Sequence, residues 1–233
     1  TKMIISILGD SISTFEGYIP EADGINLKHR KRYPQDTLLT DVNETWWMRV
    51  ISELGATLGI NDSWAGSCVR NKIDGNQGDV GEDAAMASLT RIKNLGANGS
   101  PDVILFYGGT NDAGRNYTLG EFDPANAPAS ADLTAKKWES FADSYVCAIL
   151  RMKHFYPNAK IYAMTPAFTK SYYPTERLDA FVGVIEQICA HYGVPCIDLR
   201  KSGLSVEMLP DGLHPNAIGM RCISEAVMNS FFR

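Results

Sequence analysis

The chain has 233 residues, of which 45% are hydrophobic and 21% are charged, and its formal net charge is −5 at pH 7. This composition is typical of a globular protein with a full core and argues against a disordered chain. The mild acidity gives no electrostatic basis for binding nucleic acid, and no apolar run is long enough to cross a bilayer. We therefore expect neither nucleic acid nor a membrane among its partners.

Chain length and cysteine usage bear on domain organisation and compartment. A chain of this length fits one α/β domain, so residues 1–233 are predicted to form a single domain. The five cysteines are odd in number and scattered, which indicates neither a disulfide framework nor a zinc site. With no visible signal peptide, this pattern favours a cytoplasmic location, and a processed secreted form stays open. Nothing in the sequence indicates an oligomeric state.

Apolar periodicity predicts strands and helices in alternation. The predicted strands are 3–8, 59–61, 103–107, 161–164 and 195–199. The apolar stripes that mark the predicted helices span 47–58, 86–95, 133–155, 178–189 and 218–231. Asn43 is the predicted N-cap of the first helix and Gly59 its stop, and Thr175 and Gly193 have the same roles in the fourth. Such alternation predicts an α/β fold, a three-layer α/β/α sandwich around a parallel sheet of about five strands.

Four polar or glycine-rich segments follow predicted strands. They are Gly9-Asp10-Ser11, Trp64-Ala65-Gly66-Ser67, Gly108-Gly109-Thr110-Asn111-Asp112 and Asp211-Gly212-Leu213-His214-Pro215. Ligands of open parallel sheets bind outside the carboxyl ends of the strands. The four segments are therefore predicted to meet at one site.

The residue types in these segments suit acyl transfer through a serine. Ser11 needs a base to become nucleophilic, and the imidazole of His214 can act as that base at neutral pH. Asp211 lies three residues before His214, across a glycine-containing turn, and can hold the ring in the required tautomer. The backbone N–H groups of Ser11 and Gly66 and the side-chain amide of Asn111 can stabilise the oxyanion. Because His214 precedes Pro215, it is predicted to stand on a loop at the start of the last helix.

The same segments resemble the sequence blocks of the SGNH/GDSL hydrolases. Gly9-Asp10-Ser11 is similar to the first block, Gly66 to the second, Gly108–Asp112 to the third and Asp211–Pro215 to the last, in the family's order. The asparagine usual near the second-block glycine is not evident, since Asn61 lies well upstream. The resemblance implies a flavodoxin-like fold, activity as an esterase, lipase or carbohydrate deacetylase, and no metal or other cofactor.

The predicted function is therefore the hydrolysis of carboxylic esters through an acyl-serine intermediate. Ser11, His214 and Asp211 are the predicted catalytic residues, and Ser11, Gly66 and Asn111 are the predicted oxyanion donors. The expected partner is a small-molecule ester with a short acyl group, with acetyl on a carbohydrate as the first choice.

Three alternatives stay open. An acyltransferase would use the same acyl-serine and pass the acyl group to an alcohol other than water. A flavin- or phosphate-binding protein could use Ser11-Ile12-Ser13-Thr14 as a cradle but would leave His214 idle. A carbohydrate-binding protein without activity would not need the complete set of catalytic residue types.

Several neighbouring residues have simpler interpretations. The basic run Lys28–Arg32 is expected to be a solvated loop, with a grip on an acidic substrate as the lesser alternative. Asp10 and Asp112 are expected to be structural. Arg70 is expected to form a surface salt bridge, with contact to a substrate carboxylate as the lesser alternative. Trp46 and Trp47 are expected to pack in the core or an interface, with one of them lining the substrate pocket as the lesser alternative. The other histidines, His29, His154 and His191, are not expected to be catalytic.

Overall fold

The computed structural model describes residues 1–21, 30–70, 82–170 and 172–231. Its strands are β1 (Ile4–Gly9), β2 (Thr57–Ser63), β3 (Val103–Tyr107), β4 (Lys160–Met164) and β5 (Cys196–Ile197). They form one parallel sheet in the order β2-β1-β3-β4-β5. This is the flavodoxin-like order of a doubly wound α/β fold, and it confirms the predicted fold class.

Helices cover both faces of the sheet. They are α1 (Trp46–Glu53), α2 (Leu89–Asn94), α3 (Thr110–Gly114), α4 (Phe141–Phe155), α5 (Thr175–Tyr192) and α6 (Ala217–Phe231). One core contains side chains of α2, α4 and α5, and the opposite core contains those of α1 and α6. The sheet is thus the middle of three layers. Among the described residues, no helix is both long and apolar enough to span a membrane.

The central strand β3 shows how the sequence builds this sheet. All its side chains are buried. Ile104 and Phe106 pack into one core, whereas Leu105 and Tyr107 pack into the other. Successive side chains of a strand point to opposite faces, so a continuous apolar run suits a strand covered on both sides.

The predicted boundaries of α1 are wrong at both ends. Its N-cap is Thr45, whose hydroxyl accepts a backbone hydrogen bond from the first turn, while Asn43 lies in a preceding 3-10 turn. The helix ends at Glu53, and Gly59 lies inside β2, beside Ser6, where the pairing of β1 and β2 is irregular. A Cβ at position 59 would lie 2.5 Å from Ser6 Oγ, so the close approach of the two strands requires glycine.

The helix predicted over 133–155 begins only at Phe141. Ser140 caps it, since its hydroxyl accepts a backbone hydrogen bond from the first turn. The preceding stretch is a loop because Arg151 donates to the backbone carbonyls of Asp132 and Ala135, both at 2.8 Å. These carbonyls are bound by a side chain instead of by helical N–H groups.

Other helix ends follow local capping. α2 begins at Leu89, later than predicted, because Ser88 caps it. α5 begins at Thr175, so the N-cap is Pro174 and not Thr175. Gly193 ends α5 in the left-handed conformation, with φ 67°, as predicted.

The strand order places the candidate site. β1 lies between β2 and β3, and the chain moves outward in opposite directions from these central strands. Ser11 follows the carboxyl end of β1, and Gly108 follows that of β3. The crevice between these two ends is the switch point at which such sheets bind ligands.

Candidate active site

Ser11 opens a tight turn at the end of β1. It begins a 3-10 turn capped by Asp10, whose Oδ1 accepts a 3.0 Å hydrogen bond from the backbone N–H of Ile12. The turn packs closely on the strand, since a Cβ at Gly9 would lie 2.8 Å from Ser13 Oγ. Ser11 is 7% exposed, so its hydroxyl lies in a nearly enclosed position.

His214 and Asp211 lie beside this serine. His214 Nε2 is 2.8 Å from Ser11 Oγ, and His214 Nδ1 is 2.7 Å from Asp211 Oδ2. The other carboxylate oxygen, Oδ1, accepts the backbone N–H groups of Leu213 at 2.9 Å and His214 at 2.7 Å. Gly212 makes this turn with φ 86°, a conformation that favours glycine. The structure therefore brings together the three predicted catalytic residues.

The protonation states of this pair follow from burial and hydrogen bonding. Burial lowers the pKa of His214 below its ordinary value, although Asp211 acts in the opposite direction. Partial burial would raise the pKa of Asp211, but the backbone N–H groups of His214 and Leu213 and the imidazole hold it below the usual range. A neutral imidazole beside an ionised carboxylate is the state that a general base requires.

The loop that carries His214 is anchored on both sides. The buried Tyr33 donates its hydroxyl to the carbonyl of Pro215 at 2.8 Å. The backbone N–H of Lys170 donates to the carbonyl of Gly212 at 2.7 Å. Asn216 accepts a hydrogen bond from the first turn of α6, which begins at Ala217. The loop position predicted for His214 is confirmed, but Pro215 lies before the first helical residue.

The second and third segments are joined to the first. Ser67 Oγ donates to the carbonyl of Gly9 at 3.3 Å, and Asn111 Nδ2 donates to the carbonyl of Ser67 at 2.8 Å. Gly66 adopts φ 76°, which turns its backbone in the left-handed region. Neither the backbone N–H of Ser11 nor that of Gly66 donates to another residue in the described parts of the chain. These two donors are thus available for a ligand.

Two buried carboxylates support the loops. Asp112 accepts the backbone N–H groups of Val69 at 2.9 Å and Arg70 at 3.2 Å. Burial raises the pKa of Asp112 to about 6, although these hydrogen bonds oppose the shift. Burial likewise raises the pKa of Asp10 to about 7, against the hydrogen bond from Ile12. Both side chains accept backbone N–H groups, which is the structural use expected from the sequence.

Arg32 contacts Asp211, and the sequence did not indicate this contact. Its Nη2 lies 2.6 Å from Asp211 Oδ2, across 179 residues of chain. The basic run was interpreted as solvated, and Lys31 does pair with the exposed Glu16 at 2.5 Å. Arg30 lies 3.9 Å over the ring of Trp64, while Lys28 and His29 fall outside the described residues. No periodicity or spacing connects position 32 with position 211.

Other candidates lie elsewhere. Trp46 and Trp47 are both fully buried, as expected. Arg70 is buried and donates to the carbonyl of Trp138 at 2.8 Å, so the expected surface salt bridge is wrong. His154 and His191 are exposed and pack against aromatic rings away from Ser11.

In the described ranges, no three His, Cys, Asp or Glu side chains are grouped so that they could hold a metal ion.

The fold and the residues at its switch point define the class of flavodoxin-like α/β/α hydrolases. The model of the GDSL-like lipase/acylhydrolase family matches residues 3–231, and the chain belongs to this family. It is therefore a hydrolase that acts on ester bonds.

Solved structures resemble this chain over its full length. A Bacteroides ovatus structure described as a GDSL-like lipase is 28% identical, covers 100% of this chain and 99% of its own, and superposes with a TM-score of 0.72. A Bacteroides uniformis structure with the same description is 31% identical, covers 98% of this chain and 95% of its own, and has a TM-score of 0.70. No curated protein sequence matches this chain.

Proposed function

We propose that the protein hydrolyses carboxylic esters through an acyl intermediate on Ser11. The observation that carries this proposal is the continuous hydrogen-bonded series from Ser11 Oγ through His214 to Asp211, with distances of 2.8 Å and 2.7 Å. In this arrangement one ring nitrogen faces the nucleophile and the other faces the carboxylate that orients it.

The first half of the reaction forms the acyl-serine. Ser11 Oγ attacks the ester carbonyl carbon while His214 Nε2 takes the hydroxyl proton, and Asp211 stabilises the resulting imidazolium. The tetrahedral intermediate then collapses, the bond to the alcohol oxygen breaks, and the imidazolium gives its proton to that oxygen.

The second half regenerates the enzyme. Water attacks the acyl carbon, His214 takes a proton from this water, and the second tetrahedral intermediate collapses. The carboxylic acid leaves, and the proton on His214 returns to Ser11 Oγ.

The oxyanion of both intermediates needs donors already in place. The backbone N–H groups of Ser11 and Gly66 serve as two of them. Asn111 serves as the third, because its amide carries two hydrogens and only one is directed to the carbonyl of Ser67. The hydrogen bonds that join the three segments hold these donors before substrate arrives.

We propose short acyl groups, and acetyl on a carbohydrate in particular, as the substrate class. An acetyl esterase whose structure includes an acetate ion shares this fold, at 18% identity and a TM-score of 0.59. Near the site, the exposed ring of Tyr172 packs beside Gly212, and an exposed aromatic face with a polar edge suits a sugar ring.

The flavin or phosphate alternative has less support. Thr14 Oγ1 is fully buried, donates to the carbonyl of Ser11 at 2.8 Å and accepts the backbone N–H of Arg32 at 2.8 Å. Ser13 Oγ accepts a hydrogen bond from Trp46 at 3.2 Å. These hydroxyls are used within the protein, so they do not form an open cradle.

A fluorophosphonate probe tests the nucleophile directly. We expect one adduct by intact mass on the wild-type protein and on Ser13→Ala, the matched control from the same turn, but none on Ser11→Ala. An adduct on Ser11→Ala would contradict the mechanism.

A series of aryl esters tests the acyl preference. We expect kcat/KM to be highest for acetyl or butyryl esters, and a maximum for acyl chains longer than about eight carbons would exclude the short-acyl proposal.

Acetate release from acetylated sugars tests the leaving group. Product analysis with added alcohol separates hydrolysis from transfer, since a transferase would form the new ester in place of the acid.

A further inference from the structure

Both oxygens of the Asp211 carboxylate are fully engaged. Oδ1 accepts two backbone N–H groups, from Leu213 and His214. Oδ2 accepts the imidazole Nδ1 of His214 at 2.7 Å and the guanidinium Nη2 of Arg32 at 2.6 Å. The imidazole and the guanidinium therefore share one carboxylate oxygen, and they lie no further apart than the sum of these two distances.

Arg32 is held in place from both sides of the site. Its backbone N–H donates to Thr14 Oγ1 at 2.8 Å, and Thr14 in turn donates to the carbonyl of Ser11 at 2.8 Å. The next residue, Tyr33, is fully buried and donates to the carbonyl of Pro215, next to His214. The segment 32–33 thus joins the turn of the nucleophile to the loop of the base.

We propose that Arg32 is a positioning residue that fixes the Asp211 carboxylate against His214 and places a positive charge beside the imidazole. This proposal rests on the proposed function, since it assigns Arg32 a part in the serine mechanism. Arg32 need not touch the substrate. Its guanidinium binds the orienting acid, and the acid transmits the effect to the base.

The charged groups around His214 determine the direction in which Arg32 shifts the pKa of the imidazole. The groups that face its ring are the carboxylate of Asp211, the guanidinium of Arg32, the hydroxyl of Ser11 and the neutral aromatic ring of Tyr33. The guanidinium is the cation in this set. Burial is the largest cause that lowers the pKa of His214. A cation near an imidazole also disfavours a second positive charge, so Arg32 acts in the same direction as burial.

Three variants separate the effect of the charge at position 32, the effect of the guanidinium geometry and the effect of the protein's overall charge. Arg32→Gln removes the cation, Arg32→Lys keeps the charge without the planar fork, and Lys31→Gln removes a neighbouring charge that pairs with Glu16 instead of Asp211. For each, we would measure the imidazole pKa of His214 by NMR titration, assigned by a His214→Gln variant. The pH profile of kcat/KM on p-nitrophenyl acetate gives the kinetic counterpart.

We expect Arg32→Gln to raise the pKa of His214, and the acid limb of the pH profile, by about half a pH unit, because the lost charge is partly screened by water. Its kcat should fall about tenfold with little change in KM, because the acid loses a charge-assisted partner. Arg32→Lys should keep the wild-type pKa and lose about threefold in kcat. Lys31→Gln should match wild type in both readouts.

A wild-type pKa and profile in Arg32→Gln would overturn the proposal, as would an equal shift in Lys31→Gln. If Arg32→Gln does not fold, Arg32→Lys carries the test, and a wild-type kcat there would refute the positioning role. The NMR titration needs no turnover. An inactive wild type would therefore refute the proposed function, whereas an unchanged pKa of His214 in an active Arg32→Gln variant would refute only the role of Arg32.

Discussion

His214 Nε2 lies 2.8 Å from Ser11 Oγ, although 203 residues separate the two in the chain. The contact exists because β1 occupies a central place in the sheet and delivers Ser11 to the edge that α6 and its preceding loop also reach. This distance suits proton transfer, and several consequences of it can be measured.

Asp211→Asn should reduce kcat about 10³–10⁴-fold while leaving the fold intact. An amide donating to His214 Nδ1 would place the ring proton on Nε2, which could no longer accept the proton of Ser11. Steady-state kinetics on p-nitrophenyl acetate check this. Asp36→Asn, an exposed site with the same change of charge, is the control, and equal losses in the two variants would contradict the orienting role.

The acid limb of kcat/KM should lie below pH 6.5, the ordinary imidazole pKa, because burial lowers the pKa of His214. A lowered pKa means that the neutral base persists as the pH falls, so activity should be retained to lower pH than an exposed histidine would allow. A pH–rate profile of the free enzyme tests this. An acid limb above pH 6.5 would show that the charge of Asp211 raises the pKa of His214 by more than burial lowers it.

Asn111→Ala should reduce kcat about 10²–10³-fold with a small change in KM, because an oxyanion donor acts mainly in the transition state. Asn126→Ala, at an exposed position in the loop before α4, should have wild-type kinetics. A loss confined to KM would indicate that Asn111 binds substrate and does not stabilise the oxyanion.

Asp10→Asn should change the pH dependence of stability. Burial raises the pKa of Asp10 from 3.8 to about 7, so the folded protein holds this proton more tightly than the unfolded chain. The stability that Asp10 contributes is greatest at low pH and is lost as the pH rises through about 7. The Tm of the variant relative to wild type should therefore increase from pH 5 to pH 8. A constant difference across that range would contradict the burial effect.

Arg91→Met should cost about 3–5 kcal/mol of unfolding free energy, because it leaves Asp62 buried without its cation. The Arg91–Asp62 pair is 2.7 Å apart and almost wholly buried, and Arg91 also donates to the carbonyl of Gly9 at 2.9 Å. Arg200→Met breaks more exposed ion pairs and should cost about 1 kcal/mol or less. Urea unfolding compares the two, and similar losses would refute the importance of burial.

Much of the fold could be predicted from local pattern alone. The run Val103–Tyr107 was predicted with its observed ends because it is wholly apolar and bounded by Asp102 and Gly108. Gly59 was predicted both as a helix stop and as part of the second strand, and only the strand is right. Glycine serves at both kinds of position, and the contact with Ser6 of β1 is what distinguishes them here. The start of α4 was missed for a similar reason, since Arg151 binds the carbonyls of the preceding loop.

The sequence by itself determined the class of chemistry, because Ser11, Asp211 and His214 stand in motifs whose residue types suit one reaction. The turn of Asp211 and His214 is also local, spanning three residues, and so was readable from spacing. Only the tertiary structure shows which residues of distant loops contact each other. The contact of Arg32 with Asp211 joins positions 179 residues apart, and the order of the strands, not any local preference, brings them together.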